Sequence, residues 1–220
     1  MPRVKLVPEM EGPIARWYAR QRSSEAQLVG VRASAARYAA ELAAGADVLE
    51  VAPGPGLHAI ELARLGLHVT GLDISATFVE LATEAARVAG MDVVFVRGDA
   101  ASLPFPDASF DLVVCQAAFK NFRAPRLVLD EMHRVLRDGG SAVVEDLRRD
   151  VSSAQIAEAV DAMGLSRANA AVTRIVLGRL RRRALPRAEF ERLARQSRFG
   201  AASVEEEGPG LRVRLTRTRP

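Results

Sequence analysis

Apolar, strand-like runs alternate with stretches of helical spacing through the middle of this 220-residue chain. VLEVA (48–52) leads into a helical run from Gly56 to Leu65, and HVTGLD (68–73) into another from Ser75 to Ala89. DVVFVRG (92–98) and FDLVVCQ (110–116) follow, then a helical run from Pro125 to Arg137 and the strand-like SAVVEDL (141–147). Strands joined through helices run parallel and are covered on both faces, so the pattern predicts an α/β fold. The end of the chain differs: SVEEE, GPG and LRVRLTR alternate like an antiparallel hairpin at a sheet edge. Five runs and this hairpin predict a seven-stranded, mostly parallel sheet.

Local signals agree with that phase. Asp73 and Ser75 precede one helix, Pro125 suits the first turn of another, and Asp138-Gly139-Gly140 reads as its closing turn. An alanine- and arginine-rich segment, 10–44, carries helical spacing from Ile14 to Leu42 and predicts helices outside the sheet. The polar helical stretches of 150–198 predict a lid. Together the segments predict one domain, 1–220.

No apolar run approaches the ~20 residues that cross a bilayer, and the opening MPRVKLVPEMEG places acids where a secretion signal needs an apolar core. The expectation is a soluble, cytoplasmic protein with no membrane partner. Cys115 is the only cysteine, which excludes an internal disulfide, and its place in DLVVCQ predicts burial. His58, His68 and His133 share no ligand spacing, so no metal is expected. His58 and His133 read as a surface and a structural histidine. Residues 1–147 carry 15 Lys+Arg against 19 Asp+Glu, whereas 148–220 carry 16 against 8. Only Lys5 and Lys120 are lysines, a bias that together with abundant alanine reflects genomic base composition, and nucleic acid is an unlikely partner. The run from Arg179 to Arg183 reads as a solvated helix face.

The bend after the first strand is where a ligand is expected, because open parallel sheets bind beyond the carboxyl ends of their strands. Gly54 and Gly56 remove side chains where a ligand approaches the backbone, and the next helix offers unpaired N–H groups. Pro53 and Pro55 take two donors away. Gly54-x-Gly56-x-x-Ala59, with Asp73 following, matches a dinucleotide fingerprint and leaves an NAD(P)-dependent oxidoreductase open. Glu50, close beneath the bend, suits a cationic ligand better than a pyrophosphate.

Glu50-Val-Ala52-Pro-Gly54-Pro-Gly56, LDIS at Asp73 and GDAASLPFPDASFDLVV, in that order over Val48 to Leu147, resemble the class I S-adenosylmethionine-dependent methyltransferases of small molecules. QAAFKNF and EMHRVLRDGGSAVVEDL resemble segments of the ubiquinone- and menaquinone-biosynthesis methyltransferases. The resemblance implies a Rossmann-like fold and S-adenosyl-L-methionine as cofactor. It implies that Ala52, Gly54 and Gly56 line the methionine part, with Glu50 organising loop N–H groups or water. Asp73 then accepts from the ribose hydroxyls, Ile74 packs on adenine, Asp99 and the Ala100 N–H meet its edge, and Gln116 borders the methionine. Ala52 stands where the family usually has glycine, and Asp138 where it commonly has proline.

Methyl transfer proceeds largely by positioning and desolvation, and a base is needed only if the acceptor must lose a proton. Glu145, Lys120 and Tyr18 are the catalytic candidates, against structural roles as ion pair, solvated lysine and packed aromatic. Phe119 and Asn121 are candidates for contact with a small-molecule substrate, against ordinary packing and a loop hydrogen bond. An RNA-directed methyltransferase and a non-catalytic cofactor-binding protein remain the further alternatives.

Overall fold

A computed structural model describes residues 10–22 and 25–219. Seven strands form one sheet: β1 Asp47–Val51, β2 His68–Asp73, β3 Val93–Arg97, β4 Phe110–Gln116, β5 Leu136–Leu147, β6 Ser203–Glu207 and β7 Gly210–Thr216, in the order β3-β2-β1-β4-β5-β7-β6. β1 to β5 are parallel, and β7 pairs antiparallel with both β5 and β6. From β1 the chain builds outward to β3 and then returns to β4, so strand order reverses between β1 and β4. That reversal opens a crevice at the carboxyl edge. As the last strand on one side of the sheet, β6 carries Glu205, Glu206 and Glu207, charges that discourage further strand addition.

The strand period of two sorts the core. Val48, Leu112, Val114 and Val143 face the helices α2 (Glu25–Ala39), α3 (Leu57–Arg64) and α4 (Ala76–Ala89), with Ala35, Tyr38, Ile60, Leu62 and Ala86 packed on them. Leu49, Val51, Val113, Cys115, Ala142 and Val144 face α5 (Pro125–Val135) and α8 (Arg187–Gln196), through Leu129, Met132, Phe190 and Leu193. By the same alternation Glu50, Gln116 and Glu145 belong to the α2 side, and Asp146 to the α5 side. Cys115 is fully buried, and burial pushes its thiol well above the ordinary range.

Three details depart from the sequence reading. α5 stops at Val135, and the expected closing turn is strand: Gly139 donates to the Arg217 carbonyl and Arg217 N–H to Gly140. The guanidinium of Arg217 instead caps α5, donating to the carbonyls of His133, Arg134 and Leu136 while its Nε lies 2.8 Å from Asp138. The N-terminal region divides into α1 (Gly12–Arg22), packed on α4, and α2, which ends at Ala39 rather than Leu42. Of the expected lid, α8 is a layer of the core, so only α6 (Ser153–Ala162) and α7 (Arg167–Leu180) stand apart from the sheet.

Candidate functional site

After β1 the backbone turns through Ala52 (φ 58°) and Gly54 (φ 56°), both left-handed, and Gly56 (φ 76°) starts α3 with no side chain accepting from its first turn. A Cβ on Gly54 would meet nothing within 4 Å, which leaves its surface open to a ligand. Gly56 has a different reason. A Cβ there would stand 2.7 Å from the Ala82 Cβ and 2.8 Å from Phe95 Cζ, so this glycine lets α3 and α4 pack.

Ala52 holds a conformation that costs an L-residue about 1 kcal/mol. Ala117 (φ 56°), just past β4 on the other side of the crevice, is strained in the same way. Of the three non-glycine residues with positive φ among the described residues, these two flank the crevice and the third, Ala108 (φ 53°), precedes β4 at the other end of the strands; backbone strain on both walls of a cleft is consistent with a backbone held for a ligand. Replacing Ala52 with glycine is expected to stabilise the fold by ~1 kcal/mol, raising Tm by roughly 2–4 °C in thermal unfolding.

Asp73 closes β2 and ties the bend to it: Oδ2 accepts from the Gly54 N–H at 3.0 Å and Oδ1 from the Ser75 N–H at 2.9 Å. It is 6% exposed, and burial raises its carboxyl above the usual aspartate range against the pull of those backbone donors. Ser75 caps α4 by accepting from Phe78. Ile74, between them, is 39% exposed, a large apolar side chain at the mouth of the crevice. Asp99 is exposed; one oxygen accepts from Ala101, and the Ala100 N–H has no partner among the described residues.

A strap that sequence reasoning missed crosses this end. Glu11 accepts from the Ala76 and Thr77 N–H groups and from the Thr77 hydroxyl, while Ser75 Oγ donates to the Met10 carbonyl. The Thr77 hydroxyl holds the Glu11 carboxyl below its usual range, and the two backbone donors add to it. The only signal in the sequence is an acid ahead of a helix, with nothing to pair it with a helix 65 residues on.

On the α2 side the polar residues form a row across β1, β4 and β5. Glu50 is 3% exposed, with Oε1 3.4 Å from His58 Nδ1 and Oε2 without a partner among the described residues. His58 is buried, not a surface residue, and packs edge-on against Tyr38. Glu145 lies opposite Gln116 in the strand register and accepts from its Nε2 at 2.8 Å. Arg37 of α2 donates to Glu145 at 2.5 Å, and Ser34 takes a second bond from Gln116. Glu145 thus anchors α2 over the strand ends, which disagrees with its expected role as a free base.

Lys120 also departs from expectation. Its ammonium lies 2.8 Å from Asp146 and bonds the Ala117 carbonyl, and both side chains are almost fully buried on the α5 side. Phe119 is a core residue stacked among Phe122 and Phe190, so it offers no surface to a substrate. Asn121 is exposed in a single 3-10 turn, Phe119–Asn121. Tyr18 packs edge-on against Phe78, at the α4 end of the crevice. The three catalytic candidates therefore stand in three separate places, whereas Glu50, Gly54, Asp73 and Gln116 converge on one edge.

Residues 49–144 match the family described as "Methyltransferase domain". This stretch, less than half of the chain, is similar to methyltransferase domains. Among curated relatives of this domain, a demethylmenaquinone methyltransferase of Clavibacter sepedonicus is 42% identical over 102 residues, 46% of this chain and 41% of the relative. A phthiotriol/phenolphthiotriol dimycocerosates methyltransferase of Mycobacterium tuberculosis is 44% identical over 107 residues, 47% and 38% of the two chains. The chain thus spans less than half the length of these relatives. The methyltransferase fold extends further: a crystal structure described as an S-adenosylmethionine-dependent methyltransferase from Methanococcus maripaludis superposes with a TM-score of 0.73 at 15% identity, over 99% of this chain and 98% of that one. The same fold serves other chemistry, since the [4+2]-cyclase SpnF superposes at 0.56 with 21% identity, covering 83% and 80%.

Proposed function

We propose that the chain is an S-adenosylmethionine-dependent methyltransferase acting on an apolar small molecule. The observation that carries this reading is the donor-poor bend. Gly54 N–H is committed to Asp73 and Gly56 N–H to Pro53, the two prolines have none, and Glu50 presents an unpartnered carboxylate oxygen beside it. A buried, unpartnered carboxylate oxygen calls for a cation or donor, which suits the ammonium of a methionine moiety. It repels a pyrophosphate, and this weighs against the NAD(P) alternative.

Bound S-adenosylmethionine supplies a methyl carbon on a cationic sulfur, already activated for displacement. The work left to the chain is to bind, orient and exclude water. Asp73 uses the lone pairs not taken by Gly54 and Ser75 to accept from the ribose hydroxyls. Ile74 covers one adenine face, and Asp99 with the Ala100 N–H reads its edge. Ala52, Gly54 and Gly56 let the loop backbone approach, and Gln116, fixed by Ser34 and Glu145, borders the methionine side. Tyr18 and Asn121 are the acceptor-side residues retained, because their polar groups have no side-chain partner among the described residues. The acceptor class follows the two relatives, named for demethylmenaquinone and for dimycocerosates.

Calorimetric titration with S-adenosylhomocysteine is expected to show saturable, one-to-one binding. Absence of heat at saturating ligand, together with saturable NADH fluorescence enhancement, would return the site to the dinucleotide reading.

A further inference from the structure

α7 is apolar on two faces. Ala170 and Leu177 pack against Ile156 and Val160 of α6. At ~100° per residue, Val172, Ile175 and Val176 fall on the opposite side of the helix, and they are 60%, 56% and 45% exposed. Met163 and Leu165, at the α6–α7 tip, extend the exposed apolar surface. A solvated helix needs only the packed stripe. The second stripe therefore asks for an occupant.

Charge identifies it. From Ala162 to Ala188 the chain carries seven arginines and no acidic residue. Arg174 is paired with Asp161, Arg181 with the Val151 carbonyl and Arg187 with Glu191. The guanidinium groups of Arg167, Arg179, Arg182 and Arg183 have no hydrogen-bond or ion-pair partner among the described residues. Arg179 lies on the same side of α7 as Val172 and Val176, and Arg182 and Arg183 continue past the helix end. An apolar stripe bordered by unpaired guanidinium groups complements a surface with an apolar interior and anionic headgroups. RNA would ask for stacking rings, yet no aromatic residue occurs between Phe122 and Phe190. A second copy, related by a two-fold axis, would bring arginine-rich faces together.

We propose that the outer face of α7, with the α6–α7 tip, docks on an anionic bilayer surface. The helix lies on the bilayer rather than through it: at 14 residues it is ~21 Å long, short of the ~30 Å apolar core, and no described helix is long and apolar enough to cross. The α6–α7 pair follows the carboxyl end of β5 after five residues, 148–152, so docking sets the bilayer beside the carboxyl edge of the sheet. The docking face is separate from the crevice residues, so this inference survives if the methyl-transfer reading fails.

Flotation of the full chain with phosphatidylcholine vesicles, with and without about 30 mol% phosphatidylglycerol, tests it at about 0.1 M salt. The chain is expected to float with the anionic vesicles only, and to be released as salt rises. Val172→Ser/Ile175→Ser/Val176→Ser should lose most of this binding. Arg179→Gln/Arg182→Gln/Arg183→Gln should weaken it about 100-fold, roughly fivefold per guanidinium. Far-ultraviolet circular dichroism and an unchanged Tm check that both variants fold. Equal binding to neutral vesicles, no binding to anionic ones, or variants that bind like the parent would overturn the proposal. So would a parent dimer that the serine variant dissociates while neither floats.

Discussion

Asp73→Ala is expected to weaken S-adenosylhomocysteine binding by more than about 100-fold, because two charge-assisted bonds to ribose hydroxyls, at roughly 1.5–3 kcal/mol each, disappear together. A second loss adds to the first: the Gly54 and Ser75 N–H groups lose their acceptor, and the bend is no longer tied to β2. Asp73→Asn separates the two effects. It keeps the shape but sets an amide N–H₂ against one of those backbone donors, so it too should bind weakly while retaining a folded circular dichroism spectrum. The pH dependence has a defined sign. In the proposed pose binding requires the ionised carboxylate, whose pKa burial raises, so affinity should fall with decreasing pH, starting above the point where an ordinary aspartate titrates. Calorimetry across pH measures this. Unchanged affinity in Asp73→Ala would remove Asp73 from the site.

Which parts of this arrangement were legible beforehand follows from the range over which each signal acts. Period-two runs and caps are local, so β1 to β5, the terminal hairpin and the Ser75 cap could be read directly from neighbouring residues. The β5 extension was not legible. Asp138-Gly139-Gly140 has turn composition, and only the distant Arg217 converts it to strand by pairing with Gly139 and Gly140 and capping α5. Phe190, Leu193 and Ala194 carry the helical spacing of a core face, and that signal alone would have moved α8 out of the lid.

The site shows the same division. Asp73 and Gly54 lie at strand ends, where topology alone assigns them to the crevice. Glu145 and Asp146 alternate, so one must face each way, but the sequence holds no information on which side α2 covers. Once Val143 is seen to pack under α2, Glu145 follows, and with it the Arg37 contact. His58 was misread for the same reason: a helix's first turn is exposed unless another helix lies over it, and α2 does. The outer stripe of α7 was invisible until Ala170 and Leu177 showed which side is packed.

Asp146→Ala is expected to cost about 3–5 kcal/mol, the usual penalty for stranding one member of a buried ion pair. Asp146 accepts from the Lys120 ammonium, the Lys120 N–H and the Leu147 N–H, all within 2.8 Å, and its removal leaves a buried ammonium without a counter-charge, held only by the Ala117 carbonyl, and takes this acceptor from two backbone donors. Denaturant unfolding should show a lower midpoint with little change in slope. Lys120→Met in the same chain should recover part of the loss, because an apolar side chain of similar length no longer asks for a counter-charge. The Lys120→Met single variant distinguishes pairing from catalysis. Lys120 faces the α5 layer, away from the row of Glu50, Gln116 and Glu145, so S-adenosylhomocysteine affinity should hold while stability falls. Loss of affinity with stability intact would put Lys120 back at the ligand edge and would contradict the strand alternation that assigns Asp146 and Glu145 to opposite faces.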